Sequence, residues 1–263
     1  MKLSVVTVSM NAEGCISKTI DSILNQTVPV YEYIMIDGKS KDRTYDIICS
    51  YDHVFEERGI RFIHISEPDK GISDAFNKGI ARATGDLIGL INADDELMPE
   101  TNRVLSETWE KGRTDVYYGN CWWVDEKRKQ EYISYPKHDL KELLYNMVLI
   151  HPSTFITKNT YDECGCYSTD YKYCMDEELL YRLYKAGRKF QYVDAELTRF
   201  KAGGVSDTHA SAVFKEGTKM ALSYGAPLFT VKLIEIKKTI KDGISRMLKN
   251  THIYWKLKKS RKI

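Results

Sequence analysis

The chain has 263 residues, 43% hydrophobic and 29% charged, with 39 Lys and Arg against 37 Asp and Glu for a formal net charge of +2. This length holds one large α/β domain plus an appendage, and these fractions exclude wholesale disorder and a membrane-embedded fold. The near-neutral total hides an asymmetry: Leu228 to Ile263 carries eleven Lys and Arg against two acids, Glu235 and Asp242, so the preceding body is net negative.

No apolar run approaches the roughly 20 residues of a membrane-spanning helix. The six cysteines form no CxxC pair. A strand-like run begins at Lys2 with no leader ahead of it, so reduced thiols in a cytosolic setting are expected. Cys164, Cys166 and Cys174 have the spacing of no common zinc site.

In chain order, LSVVTV (Leu3–Val8) is a β-branched run suited to a buried parallel strand. Ile16, Ile20, Ile23 and Leu24 then recur at helical spacing before Pro29. YIMI (Tyr33–Ile36) predicts a second strand, a helix follows near Asp42–Tyr51, and a third strand is predicted at Arg61–Ile65. A helix over Ser73–Ala83 leads to a fourth strand at Asp86–Ile91, which runs into Asn92-Ala93-Asp94-Asp95. This β-α-β-α-β opening argues for a parallel sheet with ligands beyond the carboxyl ends of its strands.

The second half is less regular. A helix is predicted over Pro99–Lys111, strands at Val116–Tyr118 and Cys121–Val124, and an irregular aromatic stretch to Pro136. Helical patterns return at Asp139–Met147, Glu177–Ala186 and Ser211–Tyr224, with a strand near Phe190–Val193, before Gly225 and Pro227 end the globular body. Beyond them Phe229, Leu233, Ile236, Ile240, Ile244 and Met247 form an apolar stripe opposite Lys232, Lys237, Lys238, Lys241 and Lys249. Such a helix either packs its stripe on the domain or lays it on an anionic membrane.

Several acids follow strands. Asp37, in IDGKSKDRT, reads equally as a turn former with Gly38 or as a carboxylate that accepts hydrogen bonds from a nucleotide base. Asp94 and Asp95 repel each other unless a cation or a donor offsets their charge. A divalent metal is the economical explanation, because Mg2+ or Mn2+ is commonly held by one or two carboxylates, phosphate oxygens and water; solvated turn acids before Pro99 are the alternative.

LSVVTVSMNAEG, YIMIDGKSKDRT and SEPDKGISDAFNKGIARATGDLIGLINADD, in this order and spacing, resemble family 2 of the inverting glycosyltransferases. The likeness covers roughly the first hundred residues strongly and continues to about Ser206. It implies the GT-A fold, a Rossmann-like mixed sheet flanked by helices, spanning residues 1–226, with a nucleotide-binding half at 1–98, an acceptor half at 99–226 and a basic helical extension at 227–263. The implied activity is transfer of a sugar, with inversion, from a nucleotide diphosphate sugar, typically a UDP-sugar, to a saccharide or lipid-linked saccharide in cell-surface polysaccharide synthesis.

Carried over by position, the resemblance puts Val8, Ser9 and Asn11 beside the base and Asp37 on it, although Val8 and Met10 stand where the family has proline and tyrosine. Lys70, Asp74 and Asn77 line the diphosphate and ribose; for Asn77 the alternative is a structural amide holding a loop. The aspartate-x-aspartate motif appears as Asn92-Ala93-Asp94, so Asp94 is the implied ligand of Mn2+ or Mg2+. Asn92 is assigned to the ribose, and Asp95 to the donor sugar or to a supporting role. In MDEELLYRL, Asp176 matches the general base, with Met175 in place of a frequent acid and Glu177 in reserve; all three acids there also suit a helix N-terminus. His151 in HPSTF is implied on the acceptor side, and FKAGGVS resembles the glycine-rich loop over the donor. The expected setting is cytoplasmic, with peripheral contact at the inner face of the membrane and no nucleic acid partner. The missing acids at Asn92 and Met175 leave a second reading, a non-catalytic nucleotide-sugar-binding or assembly protein on the same fold.

Overall fold

The computed structural model describes residues 1–204, 209–248 and Trp255. Val205 and Ser206 of the glycine-rich loop, Lys249 of the basic face, and the rest of the extension apart from Trp255 lie outside the described residues.

Four parallel strands, β1 (Leu3–Ser9), β2 (Glu32–Asp37), β3 (Arg61–Ser66) and β4 (Leu87–Asn92), form the first half of the sheet in the order β3-β2-β1-β4. They alternate with α1 (Ile16–Leu24), the short α2 (Thr44–Cys49) and α3 (Asp52–Glu57), and α4 (Ile72–Arg82). The single helix expected near Asp42–Tyr51 is thus two short ones, with Ser50 and Tyr51 between them. In α1, Ile16, Ile20, Ile23 and Leu24 are all buried, as their spacing requires. Helix α4 lies close against β1: a Cβ on Gly79 would run into Val6 Cγ1, so glycine is the residue this approach admits.

The second half completes one mixed sheet. After β5 (Glu96–Leu97) and α5 (Thr101–Thr108) come β6 (Val116–Asp125), β7 (Gln130–Ser134), β8 (Thr154–Thr157), α6 (Lys158–Cys164), α7 (Met175–Lys185) and β9 (Phe190–Lys201). The full order is β3-β2-β1-β4-β8-β6-β9-β5, with β7 paired to β6. The two strands expected at Val116–Tyr118 and Cys121–Val124 are one, because β6 runs through a register shift against β9 at Gly119 and Asn120. At Gly119 a Cβ would stand 2.6 Å from Leu197 Cδ1, so the glycine lets the bulge close. The strand expected at Phe190–Val193 continues to Lys201, and the helix expected over Asp139–Met147 is a 3-10 segment, Leu140–Leu144.

Helix α8 (Ala210–Ser223) leads into α9 (Leu228–Leu248). The reading in which the apolar stripe of α9 packs on the domain is overturned. Val231 is buried with Ala221, Ala226, Leu144 and Tyr145, whereas Phe229, Leu233, Ile236, Ile240, Ile244 and Met247 are exposed. No helix among the described residues is long and apolar enough to cross a membrane.

Candidate functional site

Parallel pairing in register fixes what meets at the carboxyl edge of the sheet. Ser9 of β1 lies opposite Asp37 of β2, Asp37 opposite Ser66 of β3, and Val8 opposite Asn92 of β4. Asp37 is fully buried. Its Oδ1 accepts from Ser9 Oγ at 3.2 Å and Ser40 Oγ at 2.5 Å, and its Oδ2 from Ser66 Oγ at 2.6 Å and Ser40 N at 2.9 Å. The Ser40 N–H bond is the kind a turn former makes, and the same carboxylate also gathers two strand ends and a loop. Serine hydroxyls rotate, so a base N–H can replace one of them at the carboxylate without breaking the backbone frame.

The loop after β1 is pinned to the loop after β2. Asn11, at φ 52°, donates its N–H to Ser40 Oγ at 2.8 Å and accepts Lys41 N on Oδ1 at 2.9 Å. Its amide oxygen thus serves the loop, and the side chain of Val8 belongs to the core.

At the end of β4 the two acids separate in role. Asp95 is fully buried; its Oδ2 accepts from Asn92 Nδ2 at 3.0 Å and its Oδ1 from Lys201 N at 3.0 Å. Burial pushes its carboxyl up to about 7. Asp95 and Asn92 are therefore turned to each other, joining β4 to the end of β9. Both carboxylate oxygens of Asp95 are thus engaged within the fold, and so is the Asn92 amide on its Nδ2 side.

Asp94 is different. It is half-buried beside a cavity of about 80 Å³ whose lining includes Cys15, Lys18, Glu126 and Lys201. Its carboxyl is pushed up by burial and drawn back by the charge of Lys201. Lys201 Nζ itself bonds Glu126 at 2.6 Å, which leaves Asp94 without a side-chain hydrogen bond or ion pair among the described residues. No group of three or more His, Cys, Asp or Glu able to hold a metal ion occurs among them. The donor set is thus one under-compensated carboxylate, which suits a hard divalent ion whose remaining ligands are diphosphate oxygens and water.

The remaining candidates lie where α4 and α7 meet. Lys70 N donates to Asp74 Oδ2 at 3.0 Å, and Lys78 bridges the same carboxylate at 3.3 Å; that backbone donation leads the causes holding Asp74 below the usual carboxylate range. Lys70 is exposed. Asn77 is spent at both ends of its amide on the backbone of Tyr167, donating to O at 2.8 Å and accepting from N at 2.9 Å, so the loop-holding alternative is the one observed. Ser73 Oγ reaches Met175 Sδ at 2.8 Å, which explains a non-acid at that position: Met175 is a buried joint between the two helix N-termini.

That joint brings Asp176 to the carboxyl edge of the sheet. Asp176 is half-buried in the first turn of α7, and its Oδ1 accepts Glu177 N at 2.8 Å. His151 bonds Tyr167 Oη through Nε2 at 3.0 Å; burial pushes its imidazole down in pKa while the charge of Asp176 acts the other way. Glu177, held in reserve as base, is buried, with Oε1 lacking any partner. Burial raises its carboxyl to about 7 against the opposing charge of Lys238, so it is no open acceptor-side carboxylate.

Several further residues complete this site without having been singled out in the sequence. Ser40 and Ser66 complete the Asp37 cluster, and Asp69 lies so near Gly38 that a Cβ there would meet its Oδ2 at 2.5 Å. Glu216 of α8 accepts the backbone N–H groups of Lys172, Tyr173 and Cys174 at 2.8, 2.5 and 2.8 Å. Ser40 and Ser66 do lie inside the YIMIDGKSKDRT and SEPDKGISD motifs, as does Asp69, whereas Glu216 lies in none of them.

The family model described as Glycosyl transferase family 2 matches residues 4–170. The chain is similar, at 27% identity over 259 residues covering 96% of each, to a PGL/p-HBAD biosynthesis glycosyltransferase of Mycobacterium bovis. Its fold is similar to that of S. aureus TarS 1–349 in complex with UDP-GlcNAc, with a TM-score of 0.65 and 15% identity over 96% of this chain and 74% of that one. It is likewise similar to the mannosyltransferase PcManGT of Pyrobaculum calidifontis in complex with GDP-Man and Mn2+, with a TM-score of 0.65 and 13% identity over 97% of this chain and 78% of that one.

Proposed function

Because the chain belongs to glycosyl transferase family 2, we propose that it transfers a sugar, with inversion, from a UDP-sugar to a saccharide or lipid-linked saccharide acceptor in cell-surface polysaccharide synthesis. The observation that carries this reading is the Ser73–Met175 joint, which brings Asp176 to the edge that holds Asp37 and Asp94. In this reading a donor site and a candidate base face one cleft. Residues 1–98 form the donor half, 99–226 the acceptor half and 227–263 the extension.

In this reading the base of the donor sits against the Asp37 cluster, and the diphosphate lies between the Lys70–Asp74 turn and Asp94. Asp94 holds Mn2+ or Mg2+ through its single carboxylate, and the ion, when bound, offsets the charge that develops on the leaving diphosphate. Lys201 adds a fixed positive charge at the same place. Asp176 accepts the proton of the attacking acceptor hydroxyl from the face of the sugar opposite the leaving group, which is what inversion demands. His151, whose imidazole burial pushes down in pKa while the charge of Asp176 acts the other way, is in this reading the aromatic side chain on the acceptor side.

The similarity along nearly the whole chain to a PGL/p-HBAD biosynthesis glycosyltransferase supports sugar transfer in a biosynthetic pathway, and the reading sets the reaction in the cytoplasm at the inner face of the membrane. The test is calorimetric titration with UDP, with and without Mn2+, followed by product analysis with UDP-sugars and an acceptor panel. Metal-dependent UDP binding with transfer and an inverted anomeric centre supports the proposal. Donor binding with no transfer to any acceptor favours the non-catalytic reading, and retention of configuration refutes the role of Asp176.

A further inference from the structure

Helix α9 is amphipathic in the opposite sense to a packed helix. Its inward face is Val231, Ile234, Glu235, Lys238, Asp242 and Ser245, at steps of three, four and seven, all buried or half-buried. Thr218 Oγ1 bonds Glu235 at 3.1 Å and Lys238 donates to the carbonyl of Tyr145, so polar groups hold this face to α8 and to the 140–145 segment. The outward face is Phe229, Leu233, Ile236, Ile240, Ile244 and Met247, 80%, 42%, 55%, 57%, 53% and 80% exposed. Six large apolar side chains in one unbroken stripe exceed the scattered exposure that a soluble surface tolerates.

The charges around the stripe choose its partner. On an ideal helix Lys237 and Lys241 border one side and Lys232 the other, while both acids of the helix lie on the inward face. Lys232 bridges Glu235 at 2.8 Å; Lys237 and Lys241 have no carboxylate partner among the described residues. A second copy of the helix laid on the stripe would bring lysine rows together with no acids to answer them. A phospholipid surface supplies both what the stripe needs and what the lysines need: acyl chains under the apolar face and phosphates at its borders.

We propose that the outward face of α9 is a docking surface for an anionic phospholipid bilayer, with the helix lying in the interfacial plane. The proposal deepens the acceptor reading above and rests on it in one respect: α9 is seated on the 3-10 segment that packs against α7, so docking brings the acceptor half, with Asp176, toward the leaflet where a lipid-linked acceptor is held. The surface itself needs no assumption about the acceptor.

Sedimentation of the full chain with vesicles tests it. Phosphatidylcholine vesicles are compared with vesicles containing about a third phosphatidylglycerol, at low and high salt. The expected result is binding to the anionic vesicles that weakens with salt. Ile240→Asp with Ile244→Asp lowers it at least roughly tenfold, and Lys237→Gln with Lys241→Gln lowers it by roughly fivefold per lysine. Both pairs are exposed, so the thermal melt and UDP titration of each variant stay at wild-type values; loss of UDP binding in the wild type refutes the donor reading and leaves the docking result standing. Wild-type binding by Ile240→Asp/Ile244→Asp overturns the proposal in favour of the basic tail alone. A wild-type dimer that this variant disperses, with no vesicle binding, overturns it in favour of a second copy as the occupant.

Discussion

Glu216 accepts the backbone N–H of Cys174 at 2.8 Å, two residues ahead of Asp176. With Lys172 and Tyr173 donating to the same carboxylate, one side chain of α8 fixes the approach to α7, and so the direction in which Asp176 leaves the backbone. Glu216→Ala leaves three N–H groups without their acceptor. A charge-assisted bond contributes about 1.5–3 kcal/mol, so a loss of at least about 2 kcal/mol is expected, seen as a melting point lower by roughly 4–8 °C. Glu216→Gln recovers part of it. If Glu216 orients Asp176, kcat falls by more than stability alone explains, while UDP affinity is unchanged; an unaltered kcat would leave Glu216 a purely structural cap.

Asp94 and Asp176 separate by assay. Asp94→Ala removes the one under-compensated carboxylate at the end of β4, so the increment in UDP affinity that Mn2+ supplies disappears in calorimetry. Asp176→Asn keeps size and hydrogen bonding but cannot take a proton, so transfer drops by roughly 10²–10⁴ while donor affinity stays within about twofold. A metal-dependent UDP titration that survives Asp94→Ala moves the ion elsewhere.

Glu177 gives a pH dependence of stability with a definite sign. Its folded carboxyl titrates at about 7, raised by burial above the ordinary 4.5, with Lys238 of α9 drawing it down and Asp176 of its own helix pushing it up. The thiol of Cys174 also lies in its field. The folded chain holds the proton more tightly than the unfolded chain, so stability is full below about pH 4.5 and declines as pH rises through 7. The loss amounts to at most about 3 kcal/mol. Glu177→Gln, being neutral throughout, melts close to the wild type at pH 5 and several degrees above it at pH 8. Equal melting points at pH 8 would mean that Glu177 carries no buried charge.

Legibility in the sequence followed periodicity and order. The Ile16, Ile20, Ile23, Leu24 spacing and the β-branched runs of β1 to β4 announced their elements, since each buries one stripe or one strand in a parallel layer. The second half obeys long-range pairing: β6 is a ten-residue strand only because β9 shifts register beside Gly119, and two-residue β5 exists only through its pairing with β9. The site shows the same division. Asp37, Asp94 and Asp176 can be named from motifs, and Ser40 and Ser66 lie inside the same motifs, whereas Tyr167 and Glu216, which fix the neighbours of Asn77 and the approach to α7, come from stretches that only the folded chain assembles. The tail's composition was plain, but which face of α9 turns outward depended on the polar anchors Glu235 and Lys238.

Asn77 decides between a donor contact and a support for the acceptor wall. Its amide bonds both N and O of Tyr167, and the Tyr167 hydroxyl in turn bonds His151. The chain Asn77–Tyr167–His151 therefore runs from α4, under the donor half, to the neighbourhood of Asp176. Asn77→Ala deprives two Tyr167 backbone groups of partners, costing about 1–3 kcal/mol in stability for each group left buried and unpaired. Because the amide has no free end, UDP affinity is expected to stay within about twofold, while KM for the acceptor rises as His151 loses its fixed neighbour. Calorimetry with UDP beside acceptor kinetics on the one variant separates the two roles. A fall in UDP affinity comparable to that of Asp94→Ala would return Asn77 to the donor site and require the Tyr167 loop to open when the donor binds.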